Sequence, residues 1–401
     1  MRKILIVSVG IVLLLGGLIT LASAHNIANT SQKGSLLIFP KIMAYGDEEG
    51  DTPLIDTLIT IGNDNTIDVY MKCYWVDENQ SIDDFQFRMT ANQPIAFSAW
   101  GNTSFYSPDG AGMLELSPFR NKVGQLICWA VDAGDSTQIR FNHLYGESLI
   151  VWPAGLDPQP PFDEFPILGA APAPAWAFRA LQDPGPDGGG IPGQLPLDGI
   201  TYDACPRYLI SNFIPSGVAF PLPDLPDLTL APCRQDLRQD RIPTCTKAKF
   251  DVWNHNEVKF TGAYQCLKCW YEGFLENMGD DAYQKGPGQG GSKFTYDVLK
   301  GFAARFRVMG IYSTVCVGKT KGCPGPGDAD FTEAWGGPGK TTPFVGHLYY
   351  SIPFPEEFCE NGDCPPALPV TGFALRGAGS DADGQILWDA ADPWVPEHPN
   401  R

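Results

Sequence analysis

Glycine and proline interrupt this chain too often for long helices to run unbroken. The 401 residues include 44 Gly and 36 Pro, together about a fifth, where ordinary usage is roughly 12%. Both residues break helices, so a long coiled coil is excluded, and no collagen period is present. Hydrophobic residues still make up 43% of the chain, enough for a packed core. Between the interruptions lie short runs with apolar residues at alternate positions, as at 57–61, 68–73 and 138–141. A period of two is the pattern of a strand with one buried face. The chain is therefore expected to be all-β.

The strands are not independent of one another in sequence. Residues 60–69 resemble residues 251–260, each an alternating run, an Asn-x-Asn turn (Asn63 and Asn65; Asn254 and Asn256) and a second run. Further matches follow in the same order: 37–40 with 229–232, 72–75 with 268–271, 85–101 with 294–310 without a gap, Cys128 with Cys316, and 141–145 with 345–349. Order-preserving matches point to an internal duplication. The expected architecture is two tandem, related antiparallel β-sandwich domains, immunoglobulin-like, at 34–153 and 225–351. A Pro/Gly-rich, partly ordered connection spans 154–224, with one short helix expected at 173–181. An acidic tail spans 352–401, with a strand near 370–375.

Residues 1–24 read as an export signal. Arg2 and Lys3 precede an apolar run over 4–21, which ends at Ala22-Ser23-Ala24, a small-x-small cleavage site. The run is long for such a signal, so the alternative is a retained anchor. No membrane span is expected after cleavage, and the protein is placed outside the cell, in a periplasm or at the cell surface. All eleven cysteines follow the signal, which in an oxidising compartment reads as a disulfide framework. Cys73–Cys128 resembles the inter-sheet bridge of immunoglobulin-type domains, with Trp75 or Trp129 beside it. The self-match makes Cys269–Cys316 its equivalent, and Cys359 and Cys364 are close enough for a local bridge. Cys266-Leu267-Lys268-Cys269 is a C-x-x-C; it lacks the haem-attachment His, a second zinc pair and a βαβ context, and reads as ordinary disulfide use.

The formal charge is −18, which argues against a nucleic-acid partner, because phosphate binding needs a basic face. Cleavage after Ala24 would make His25 the first residue. An N-terminal His that binds copper through its amine and ring, with a second His such as His143 or His347, resembles the lytic polysaccharide monooxygenases, secreted β-sandwich enzymes. His143 and His347 also occupy matched places, as a ligand in each copy or as strand residues kept from the duplication. Acidic loops at 47–51, 328–330 and 381–384 suit calcium, with Asp381 and Asp383 the nearest to a calcium loop; Gly379 stands where its first Asp belongs, and Ala390 where its closing Glu belongs. Phosphate-loop and sortase-signal lookalikes at 334–341 and 368–372 each lack a required part. Neither a nucleophile elbow nor an H-E-x-x-H occurs. The expectation is a non-enzymatic binding or structural module with a protein or glycan surface partner. Calcium is the one cofactor considered for it, and Trp75, Trp100, Trp129 and Trp270 are either core or ligand face. The alternative is a secreted carbohydrate-active enzyme, copper-dependent through His25.

Overall fold

One strand explains most of the architecture. In the sequence Leu36–Gly46, every residue through Ala44 is buried. Leu37, Phe39, Ile42 and Ala44 enter one core, and Leu36, Ile38 and Met43 enter another. The switch from odd to even positions falls at Pro40 and Lys41, where the pairing register shifts between Phe39 and Ile42. An inserted residue in a strand reverses which face the following side chains take, and proline is tolerated there because a bulge needs no ladder donor.

The structure is a computed structural model. It describes residues 26–46, 53–78, 81–101, 119–134, 137–153, 167–217, 225–233, 244–267, 270–277, 294–315, 343–352, 368–380 and 386–388. In chain order the strands are β1 (Leu36–Gly46), β2 (Pro53–Asn63), β3 (Val69–Asp77), β4 (Ile82–Met89), β5 (Pro94–Ser98), β6 (Lys122–Val131), β7 (Leu144–Pro153), β8 (Ile167–Pro172), β9 (Trp176–Phe178) and β10 (Tyr208–Phe213). They continue as β11 (Leu225–Pro232), β12 (Thr244–Asn254), β13 (Lys259–Leu267), β14 (Tyr271–Phe274), β15 (Ala304–Val315), β16 (Phe344–Ile352), β17 (Leu368–Ala374), β18 (Arg376–Ser380) and β19 (Ile386–Trp388). Among the described residues the only α-helix is one turn, Tyr296–Leu299. The fold is all-β and its strand pairs are antiparallel.

Nine strands of the first half run in the order β4-β3-β6-β1-β2-β7-β8, with β5 also on β2 and β9 also on β1. The second half makes a six-stranded sheet, β13-β12-β15-β10-β18-β19, and a four-stranded sheet, β14-β11-β16-β17. Strands β3, β6, β1 and β9 send alternate side chains to opposite cores. Cys73, Trp75, Leu126, Cys128 and Ala177 face the first half's own core. Tyr74, Ile127, Trp129, Trp176 and Phe178 join a cluster that continues into Leu228, Phe250, Phe306 and Leu348 of the second half. Burial on both faces is why β1 and β6 read as nearly continuous apolar runs. At about 25 cal/mol per Å² of apolar surface, such double burial is the main stabilising force available to these strands.

Three expectations are corrected. The Cys73–Cys128 bridge does not cross between sheets in the immunoglobulin manner: the two residues are directly paired on neighbouring strands β3 and β6 of one sheet, Cα atoms 4.1 Å apart, the close spacing of a non-hydrogen-bonded pair. The matched runs also pair differently, since β12 and β13 form a hairpin, whereas β3 pairs with β4 and β6 and β2 with β1, β5 and β7. Residues 173–181 hold strand β9 rather than a helix, because Trp176, Ala177 and Phe178 add to the edge of β1. The Pro/Gly-rich stretch around 184–194 is ordered by one side chain: the Gln138 amide nitrogen lies 2.8–2.9 Å from the carbonyls of Pro184, Ile191 and Gln194, and its oxygen accepts from Gly193 N.

Candidate functional site

The bulge in β1 turns Lys41 into the junction between the halves. Its ammonium is fully buried and donates to Asp227 Oδ2 (3.1 Å) on β11 and Glu272 Oε1 (2.7 Å) on β14. Ser351 on β16 donates to the same Asp227 oxygen at 3.1 Å. The Tyr349 ring lies under Lys41, 4.6 Å from its nitrogen. Register accounts for the grouping: Asp227 pairs with Tyr349 and Thr229 with both His347 and Glu272. Alternate residues of β11 and β16 thus present one polar face towards β1. Just beside it, Trp270 Nε1 donates to Pro40 O at 2.6 Å and Trp176 Nε1 to Gly346 O at 3.3 Å.

Two carboxyls and one ammonium out of water cannot all carry charge cheaply. Burial pushes Glu272 up to about 8 against the pull of Lys41, with the repulsion of Asp227 adding to it. Burial works against the Lys41 charge, but the two carboxyls outweigh it and hold its pKa above the usual range. Burial lowers His347 to about 3, against the Pro174 carbonyl it faces and with Lys41 adding to the effect. This cluster therefore sets a charged Lys41, a protonated Glu272 and a neutral His347 beside Asp227, and it ties β1 to β11, β14 and β16.

A second constellation faces solvent, on the outer side of the six-stranded sheet. Cross-strand register places Lys259, Trp253 and Arg305 in one row over β13, β12 and β15. Lys259, Arg305 and Arg307 lie 5.1, 4.7 and 5.5 Å from the Trp253 ring centroid, and Arg307 also lies 5.1 Å from the Tyr208 ring. The adjacent row holds Asp251, which accepts from Arg307 at 2.6 Å and has Lys249 and Lys259 at 3.7 Å. Burial would raise the Asp251 carboxyl, but these three cations outweigh it and hold it below the ordinary range. Three cations thus surround one carboxylate on this face, with Arg305 in the neighbouring row, in a chain that is acidic as a whole.

The residues singled out from sequence are scattered. Trp75, Trp100, Trp129 and Trp270 are buried and belong to the interior, not to a ligand face. Trp75 stacks on Phe119, and Trp129 meets Tyr74 edge-on. His143 is about half exposed and pairs with Asp64 at 3.1 Å, whereas His347 is fully buried, so the two matched histidines have different surroundings. Cys205–Cys233 is a second disulfide, joining the stretch before β10 to the end of β11. His25, Asp381, Asp383, Cys269, Cys316, Cys359 and Cys364 lie outside the described residues, as does the signal segment. Among the described residues no group of three or more His, Cys, Asp or Glu is placed to hold a metal, and no helix is long and apolar enough to cross a membrane. The buried triad escapes sequence reasoning because its members are 186 and 231 positions apart; the visible signal was a Pro-Lys pair inside an apolar strand. No family model matches the chain, and no match is found among curated proteins or solved structures.

Proposed function

We propose that this is an exported, disulfide-stabilised β-protein, extracellular, periplasmic or on the cell surface, with a binding or structural role, and that its halves descend from one duplicated sandwich unit. The observation that carries the binding role is the solvent-facing row Lys259–Trp253–Arg305, an aromatic ring flanked by cations on a rigid sheet. In a chain of formal charge −18 a local positive, aromatic face fits an anionic partner, and an acidic glycan offers both carboxylates for the cations and a ring face for Trp253. Export draws support from the two disulfides, which persist in oxidising compartments.

Duplication draws support from two turns. Asn63 and Asn254 each accept from the backbone N–H two residues on, at 2.8 and 3.0 Å. Each also donates its amide to the carbonyl of Thr90 or Leu299, at 3.0 and 2.8 Å. Thr90 and Leu299 occupy the same place in the gap-free match of 85–101 with 294–310.

An acidic-glycan array probed with the wild type and with Arg305→Glu tests the binding role. Binding that weakens with salt and is lost in the variant is expected. Silence of the wild type across acidic glycans would remove the glycan reading. Mass spectrometry of protein recovered from the export compartment should find His25 at the N-terminus.

A further inference from the structure

The positive face continues into an exposed apolar edge. Asn254 and Phe213 both pair with Ala304, so β12, β10 and β15 share one end of the sheet. The Asn254 amide bonds Leu299 O at 2.8 Å, and Tyr296 N bonds Ser216 O at 2.8 Å, which draws the helical turn to the same end. There Ile214, Val258, Val298 and Phe302 are 40–61% exposed. Large apolar side chains gathered at a surface and rimmed by charge mark a docking site.

We propose that this end of the sheet is covered by the chain's own acidic segment, residues 389–401. That segment carries Trp394 and Val395 between Asp392 and Glu397, with Asp389 ahead of them. An apolar pair flanked by carboxylates complements an apolar edge flanked by Lys259, Arg305 and Arg307. Position supports the match. β19 ends at Trp388, which pairs with Ala378, and Ala378 pairs with Tyr208. Two successive antiparallel pairings make β19 run in the same direction as β10. Trp394 stands six positions beyond Trp388 as Ile214 stands six beyond Tyr208, so a chain that kept the direction of β19 would come level with Ile214 there. The lateral gap from β19 to β10 is two strand spacings, about 10 Å. Thirteen extended residues reach roughly 43 Å, so the segment is long enough to span both the edge and the cationic row. Tethering also raises its effective concentration over any free anion.

The proposal rests on the reading of the Trp253 face as a binding surface and makes the segment an intramolecular competitor there. Zero-length carbodiimide cross-linking of the full chain, read by mass spectrometry, tests it. Bonds are expected between Asp389, Asp392 or Glu397 and Lys259, Lys249 or Lys300, within monomers. The yield should fall between about 0.01 and 1 M salt, as the Debye length shrinks from about 30 to about 3 Å. Phe302→Asp or Trp394→Ala should lower it by about fivefold or more, the factor for losing roughly 1 kcal/mol of contact. Absence of such bonds, a yield indifferent to both variants, or bonds found only between isotopically distinct copies would overturn the proposal. The glycan array separates the two claims. Cross-links with a silent array remove the glycan reading alone, and glycan binding without cross-links removes this inference alone.

Discussion

Glu272 and His347 give the junction opposite responses to pH. The native Glu272 keeps its proton up to about 8, whereas an ordinary glutamate releases it near 4.5. Between these values the native state binds more protons than the unfolded chain, so its contribution to stability falls as pH rises. The native His347 refuses a proton down to about 3, whereas the unfolded side chain accepts one near 6.5; its contribution falls as pH drops through that window. The two slopes oppose each other from 4.5 to 6.5, and above 6.5 that of Glu272 acts without the histidine. Glu272→Gln removes the ionisable group and keeps the shape. Its unfolding free energy in urea should therefore fall less than that of the wild type between pH 6.5 and 8.5, by on the order of 2 kcal/mol. Parallel declines in the two proteins would show that Glu272 is ionised in the native state. None of this was legible from composition, because the pKa shifts come from burial beside residues far away in sequence. The turn asparagines Asn63 and Asn254 were legible, because their bonds to the chain two residues on are local.

At the scale of strands, alternation identified the secondary structure but not the pairing. A period of two says which residues share a face and nothing about the neighbour, which is set by contacts between distant segments. That is why the runs at 60–69 and 251–260 look alike yet take different partners. Close approach of backbones is a second property that a strand pattern conceals. Gly124 on β6 pairs with Asp77 on β3, and a Cβ added there would strike the Val76 carbonyl oxygen and come within 2.8 Å of the Asp77 Cα. Both obstacles are main chain, so relief requires the β3–β6 ladder to move. Gly124→Ala should cost about 1–3 kcal/mol in urea unfolding, the range for overpacking a tight interior. Gly134 sits in a turn where an added Cβ meets nothing within 4 Å, and Gly134→Ala should lie within about 0.5 kcal/mol of the wild type. Equal effects at the two glycines would mean that β3 and β6 are not held as closely as described.

For the whole molecule, the sequence separates two β-rich halves, and the structure joins them through one core. Apolar side chains of β1, β6 and β9 continue into those of β11, β12 and β16, and Lys41 reaches across to Asp227 and Glu272. Neither half can expose this shared face without uncovering apolar surface and stranding buried charge, so the halves should unfold together. Calorimetry of the oxidised protein is expected to show a single transition whose calorimetric and van't Hoff enthalpies agree. Lys41→Ala leaves Asp227 buried without its cation, and removing one member of a buried pair costs about 3–5 kcal/mol. The variant should melt at a lower temperature, with near-ultraviolet circular dichroism from aromatic residues of both halves lost at the same temperature. Lys41→Met combined with Asp227→Leu and Glu272→Met removes all three ionisable groups, and should regain much of the loss, since apolar replacement of a whole buried ion cluster is often neutral or better. Two separate transitions in the wild type, or a Lys41→Ala variant that melts only one set of strands early, would mean that the halves are joined in sequence and not in energy.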